Sequence, residues 1–162
     1  MADFGFDTSA FVNSWNFHYR LPVFEGVWTA IGDAMADGTI CAPSEVLEEI
    51  SVRAGDDLHQ WVKQYEGAFI PPGASWPAHL ETIRGHAPHW FAGTGEHAAD
   101  PLVVAMAMDQ GLPVVTYEGV AFSGNAASVR THRRSILHVC SLVGVPTVTM
   151  FDVLNHLGVV IR

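Results

Sequence analysis

The chain has 162 residues, 49% of them hydrophobic and 15% charged, which is typical of a folded protein with a sizeable core and excludes a largely disordered chain. Its formal net charge of −9 argues against a protein that binds nucleic acid through a broad basic surface. A metal-dependent nuclease stays open, because such a site concentrates acids whose charge is offset by bound cations.

No apolar run approaches the length of a membrane span, and the first residues show no basic segment followed by an apolar one. The two cysteines, Cys41 and Cys140, lie far apart and give neither a disulfide framework nor a zinc-site spacing. We therefore expect one domain over residues 1–162, located in the cytoplasm and without membrane contact.

The first predicted element is a short half-buried strand, in which Phe4 and Phe6 alternate with a small residue. Asp7 follows it, and a helix begins near Ala10. A carboxylate between a strand and a helix lies at the carboxyl edge of a sheet, where open α/β folds bind their ligands. Two roles are therefore open for Asp7: a helix N-cap or a functional acid.

The next predicted elements are a helix after Pro22, which ends at Asp37-Gly38, and a short buried strand over residues 39–42. The apolar residues of the helix recur at steps of three and four. A second group of acids follows these elements in the sequence.

A helix over residues 44–50, with Ser44 as its N-cap, carries that second group. At about 100° per residue, Glu48 points away from the buried face of this helix, whereas Glu49 lies at its margin. Glu49 is either one of several solvated acids that favour a helix N-terminus or the best-placed functional residue of the helix.

Further helices are predicted from Asp56 and over residues 77–90, where Pro88 interrupts the second one. Asp100-Pro101 is a strong helix start, with Asp as the cap and Pro at the first position. The residues that follow are almost all apolar or small, so we expect a helix that is buried nearly all round. Capping alone is enough to explain Asp100.

A strand rich in β-branched residues is predicted over 112–119, and Glu118 lies at or just past its end. Glu118 therefore repeats the position of Asp7. A final helix is expected over 151–157, and residues 159–161 are either a last strand or a packed tail.

Four acids thus occupy suggestive positions, at two strand ends, on one helix face and at one helix start. Hard cations such as Mg²⁺ and Mn²⁺ prefer carboxylate oxygens. Several carboxylates held close together repel one another without a cation, so such a cluster predicts a metal site.

Four segments of the chain together resemble a PIN domain, the metal-dependent ribonuclease fold of many bacterial toxins. They are Asp7-Thr8-Ser9, Val46 to Ile50, Ala99 to Leu102 and Val114 to Glu118. More narrowly, the chain is similar to a bacterial PIN-like subfamily that was long catalogued without an assigned function. That likeness includes the aromatic helix around Trp28 and the tail from His138 to Asp152, and it spans nearly the whole chain.

The resemblance implies a three-layer α/β/α fold with a central, mainly parallel sheet. It implies a metal-dependent endoribonuclease, the toxin of a toxin–antitoxin pair, with an RNA substrate, a cognate antitoxin protein and a homodimeric state. It further implies that acids bind Mg²⁺ or Mn²⁺ and carry the catalysis, and that nearby hydroxyls orient them. By position, the acids are Asp7, Glu49, Asp100 and Glu118, and the hydroxyls are those of Thr8, Ser9 and Thr116. The family more often has Asp at the position of Glu118, so direct and water-mediated coordination are both open there.

Two rival interpretations remain open. The first is a zinc or catalytic site made by the histidines of one region, which are His79, His86, His89 and His97. The second is a catalytically silent PIN-like scaffold that binds a protein partner.

Four arginines and four tryptophans each have a structural and a functional interpretation. Arg20 and the group Arg130, Arg133 and Arg134 either contact phosphates or form a solvated patch. The tryptophans Trp15, Trp28, Trp61 and Trp90 follow helical core spacing, which favours packing over base stacking.

Overall fold

Short apolar runs bounded by turn residues form a parallel sheet at the centre of the protein. The computed structural model describes residues 1–92, 98–118 and 135–160. The strands of the sheet are β1 (Phe4–Phe6), β2 (Ile40–Pro43), β3 (Phe69–Ile70), β4 (Val114–Val115) and β5 (Thr147–Val148). They pair in parallel in the order β3-β2-β1-β4-β5.

Eight α-helices lie in the described parts of the chain. They are α1 (Thr8–Asn13), α2 (Glu25–Ala36), α3 (Ser44–Arg53), α4 (Asp56–Lys63), α5 (Trp76–His86), α6 (Asp100–Gln110), α7 (Ile136–Val143) and α8 (Met150–His156). A π-helical turn over Ser14–His18 continues α1, and 3₁₀ turns cover Glu66–Ala68 and Pro88–Phe91. The predicted three-layer α/β/α fold with a parallel central sheet is confirmed.

The strand order reverses direction between β1 and β4. From β1 the chain adds β2 and β3 on one side, and it later returns to add β4 and β5 on the other. Open α/β sheets bind ligands at such a point, outside the carboxyl ends of the strands. The fold therefore makes the ends of β1 and β4 the first place to look for a site.

Helix α6 forms the centre of the core, as its apolar sequence predicts. It packs on β1, β2 and β4 and also contacts α5 and α7. Side chains around most of its circumference are buried, among them Val103, Val104 and Met106. Gly111 ends the helix with a left-handed backbone, φ 67°, a conformation that glycine adopts without strain.

The strands differ from the predictions in exposure and in length. β1 is buried at all three positions, not half-buried, because a central parallel strand is covered on both faces. β4 spans only two residues of the predicted 112–119. The chain leaves the sheet after Val115 because the amides of Tyr117 and Glu118 donate to side-chain hydroxyls, those of Ser9 and Thr116, instead of to a strand.

Two predicted helix caps are wrong. Pro43 is the N-cap of α3, and Ser44 is already inside the helix, because β2 continues to the residue before it. Ala99 is the N-cap of α6, so Asp100 is the first helical residue instead of the cap. Residues 159–160 form no strand within the described part of the tail.

The tryptophans pack, as their spacing predicts. The rings of Trp15 and Trp28 have centroids 4.7 Å apart, and Trp61 lies 5.0 Å from Trp28 and 5.8 Å from Trp15. This aromatic cluster joins the π-helical turn to α2 and α4. Trp90 is buried as well. Among the described residues, no helix has the length and apolar character needed to cross a membrane.

Candidate functional site

A cavity of about 120 Å³ opens at the carboxyl edge of the sheet, where β1 and β4 end. All four predicted acids line it. Its lining comprises Asp7, Thr8, Ser9, Val12, Asn13, Glu49, Arg53, Asp100 and Glu118. The topology thus brings together residues that are up to 111 positions apart in the sequence.

Asp7 connects β1 to α1 and is the most enclosed of the acids, at 2% exposure. It is the N-cap of α1, and its Oδ1 accepts a hydrogen bond of 2.7 Å from the backbone amide of Ala10. The Ser9 hydroxyl donates to both carboxylate oxygens, at 2.8 and 2.9 Å. The Thr116 hydroxyl donates to Oδ2 at 2.5 Å. The predicted capping role is therefore confirmed, and it does not prevent Asp7 from facing the cavity.

The direction of the two hydroxyl bonds follows from the charge of Asp7. An ionised carboxylate only accepts hydrogen bonds, so the proton of each hydroxyl points to Asp7 when Asp7 is charged. The Ser9 Oγ in turn accepts from the amide of Tyr117 at 2.9 Å, and the Thr116 Oγ1 accepts from the amide of Glu118 at 3.0 Å. Three donors thus fix the orientation of this carboxylate.

Burial raises the pKa of Asp7 from its ordinary 3.8 to about 7. The hydrogen bonds from Thr116, Ser9 and Ala10 oppose this rise, and the negative charge of Glu118 adds to it. Desolvation of the charged form outweighs the three donors. Burial and nearby negative charge also raise the pKa of the Cys140 thiol, to about 12. Burial has the larger effect, and the charges of Asp7 and Asp100 add to it. A nearby cation would stabilise the ionised form of Asp7.

Glu49 is held by two hydrogen-bond donors. Its Oε2 accepts from the Thr8 hydroxyl at 2.6 Å, and its Oε1 accepts from the amide of Ala99 at 3.1 Å. Glu48 is exposed while Glu49 is partly buried, so the helical geometry predicted for these two residues is confirmed. The bond to Ala99 also ties α3 to the start of α6, next to Asp100.

Asp100 and Glu118 complete the cavity. Asp100 is the first residue of α6 and is 9% exposed. Glu118 lies three residues past β4, and its Oε2 accepts from the amide of Ile136, at the start of α7, at 3.2 Å. Each of the three predicted hydroxyls, on Thr8, Ser9 and Thr116, donates to one of the acids.

Carboxylate oxygens are the ligands that hard cations prefer. The carboxylates of the cavity are, however, not arranged around one common point. Among the described residues, no three His, Cys, Asp or Glu side chains are grouped so as to hold a metal ion. Both oxygens of Asp7 and of Glu49 accept hydrogen bonds from the protein. The cavity has room for several water molecules, and Mg²⁺ commonly keeps several waters and takes only one or two carboxylates. The donor set therefore fits a hydrated cation.

Besides Val12, sequence reasoning missed two polar residues of the cavity, Asn13 and Arg53. Helical periodicity is the signal that would have found them. Asn13 follows Ser9 by four residues on α1, and Arg53 follows Glu49 by four residues on α3, so each shares a helix face with a predicted site residue.

The histidine and arginine predictions fall partly outside the described residues, since His97, Arg130, Arg133 and Arg134 lie there. His79 lines a different cavity and is 3.9 Å from a carboxylate oxygen of Asp109. The described histidines form no group of three metal-binding side chains.

The sequence matches the model of a known family. The model of a family described as "Domain of unknown function (DUF4411)" matches residues 4–161. The comparison with curated proteins gives no match.

Proposed function

The chain belongs to the DUF4411 family, and we propose that it is a metal-dependent endoribonuclease that hydrolyses RNA phosphodiester bonds. Four carboxylates on one cavity at the carboxyl edge of a parallel sheet carry this proposal. They come from the residue after β1, from α3, from α6 and from the segment after β4, so four separate parts of the fold converge on one small volume. We infer the type of reaction from the resemblance to PIN domains.

The ion that these residues would hold is Mg²⁺ or Mn²⁺, because both prefer carboxylate oxygens and retain waters. Asp7, Glu49, Asp100 and Glu118 would hold it, directly or through water. When bound, such ions supply an activated water and stabilise the charge of the leaving oxygen. Ser9 and Thr116 keep the oxygens of Asp7 in a fixed orientation, and Thr8 does so for Glu49.

Titration of Mn²⁺ into the protein, followed by calorimetry, tests the metal site before any RNA is known. We expect the wild type to bind and the Asp100→Asn variant to bind at least about tenfold more weakly, because a neutral amide replaces a charged ligand. Asp33→Asn is the matched control, since Asp33 is an exposed acid on α2 and its loss should leave binding unchanged. Equal binding by both variants would place the ion elsewhere.

The rival scaffold function also has an observation in its favour. The described residues form no ready metal cluster, and Asp7 already has a structural role as the N-cap of α1. A protein that kept the fold only to bind a partner would show no Mn²⁺ binding in the titration. RNA cleavage that requires Mn²⁺ and stops on chelation would exclude this alternative.

The biological setting is proposed from the resemblance alone. We propose a cytoplasmic toxin that a cognate antitoxin protein neutralises. Exposed apolar side chains before α2, Phe17, Leu21 and Val23, offer a surface for such a partner, with exposures of 68%, 36% and 78%.

We also expect a homodimer. Sedimentation velocity at micromolar concentration should give a species of twice the mass of the chain. A single monomeric boundary over the whole concentration range would contradict this expectation.

A further inference from the structure

Arg53 is the last residue of α3, one helical turn beyond Glu49, and it lines the acid cavity. Of the described residues around that cavity, it is the one with a permanent positive charge. Arg53 is exposed to solvent. The residue therefore borders both the carboxylate-lined cavity and the outside of the protein.

The charges around the cavity favour a role for Arg53 in substrate binding. The phosphodiester of RNA is an anion, and it must approach four carboxylates on a protein whose net charge is −9. Two divalent cations would cancel four ionised carboxylates and leave the cavity neutral, and one cation would leave it negative. Attraction for a phosphate then needs a further positive charge close by, and Arg53 supplies it.

The chemistry of the side chain suits the task. A guanidinium presents several N–H groups in a planar fork that matches two phosphate oxygens, whereas an ammonium acts as a point charge. Exposure lets the side chain meet a strand that arrives from solvent. Arg53 also has a structural interpretation, since a cation in the last turn of a helix is stabilised by the helix dipole. Lysine would serve that second role equally well, so the two roles can be separated.

We propose that Arg53 binds a phosphate of the RNA strand next to the bond that is cleaved, and so positions the strand over the carboxylates. This inference rests on the proposed ribonuclease function. It assigns to this chain a substrate-binding residue at the rim of the site, on the α3 side.

The test is RNA binding, measured by fluorescence anisotropy with a labelled mixed-sequence RNA of about 12 nucleotides, a length within the usual site sizes for single strands. Ca²⁺ replaces Mn²⁺ in the buffer, and the RNA is checked for integrity afterwards. We expect Arg53→Gln to weaken binding about tenfold. The slope of log Kd against log salt should fall by about 0.7, because one phosphate contact is lost.

Two other variants complete the design. Lys63→Gln removes the same charge from an exposed position in the last turn of α4, outside the cavity lining, and should change neither the affinity nor the slope. Arg53→Lys keeps the charge but loses the fork, so it should keep the wild-type slope with an intermediate affinity. Thermal unfolding of each variant shows whether the fold is kept.

Equal affinity and slope for Arg53→Gln and Lys63→Gln would overturn the inference, as would a wild type that binds Mn²⁺ but no RNA. A loss of RNA affinity in Arg53→Gln with an unchanged salt slope would also overturn it, because no phosphate contact would then have been lost. Failure of the ribonuclease proposal is distinct from these results, because it would appear as the absence of Mn²⁺ binding by the wild type.

Discussion

The Asp7→Asn variant is expected to gain stability relative to the wild type as the pH rises from about 4 to about 7 in metal-free buffer. Burial raises the pKa of Asp7 from 3.8 to about 7 in the folded protein. Each whole number on the pKa scale corresponds to about 1.4 kcal/mol, so the upper limit of the relative gain is about 4 kcal/mol. An asparagine at this position has no charge to desolvate.

The sign follows from proton binding. Between the two pKa values the folded wild type holds a proton that the unfolded chain has lost, so its free energy of unfolding falls as the pH rises. The contribution of the protonated Asp7 is fully present below about pH 4, is lost progressively up to about pH 7, and changes no further above that. The asparagine amide of the variant does not titrate, and the variant therefore lacks this loss.

Urea unfolding at a series of pH values from about 4.5 to 8, in the presence of a chelator, measures the effect. The chain has nine histidines, which ordinarily titrate in the same range, so the informative quantity is the difference between Asp7→Asn and the wild type at each pH. Asp33→Asn, at an exposed site, is the control and should follow the wild type throughout. A difference that does not change with pH would contradict a raised pKa for Asp7.

Addition of Mn²⁺ at pH 8 extends this experiment to function. A ligand that binds only the folded protein stabilises it, by about 2.7 kcal/mol at a hundred times its Kd. If Asp7 holds the ion, the wild type should gain this stability and Asp7→Asn should gain little. The acid that weakens the metal-free protein would then be the one that the metal needs, a trade-off common at functional sites.

Local sequence patterns were sufficient for the parts of the site that depend on one element. The alternation of Phe4 and Phe6 placed Asp7 at a strand end, and helical periodicity separated Glu49 from Glu48. Both predictions depend only on residues that are close in the sequence, and the structure confirms both placements. The same rule, applied one turn further along α3, would have found Arg53.

The features that the sequence did not predict, the end of β4 and the strand order, depend on long-range contacts. The end of β4 depends on Ser9, whose hydroxyl accepts from the amide of Tyr117, 108 residues away. No local pattern contains such a contact, and the β-branched run therefore predicted a strand that is too long. The strand order is equally non-local, and it is what places the ends of β1 and β4 side by side.

The Trp28→Ala variant is expected to lose about 3–5 kcal/mol of unfolding free energy, the usual cost of removing a large buried aromatic side chain. Trp28 is 1% exposed and packs edge-on against both Trp15 and Trp61. Its indole N–H also donates to the carbonyl of Tyr19. Removal of the ring therefore opens a cavity and leaves that carbonyl without its donor.

Trp28 also supports the cavity indirectly, through its contact with Trp15. Trp15 belongs to the π-helical turn that continues α1, and α1 carries Ser9 and Asn13 on the cavity. Loosening of the aromatic cluster should therefore disturb α1 first. Trp28→Phe keeps most of the volume but loses the N–H donor, and we expect an intermediate loss.

Chemical denaturation followed by far-UV circular dichroism measures these losses without relying on tryptophan fluorescence. Phe151→Ala is the matched control, because Phe151 is a large apolar residue that is 71% exposed and its removal should cost no more than about 0.5 kcal/mol. A loss below about 1 kcal/mol for Trp28→Ala would mean that the aromatic cluster is not a tightly packed part of the core. A loss in the expected range, together with weaker Mn²⁺ binding, would show that the cluster supports the cavity through α1, although none of its rings lines that cavity.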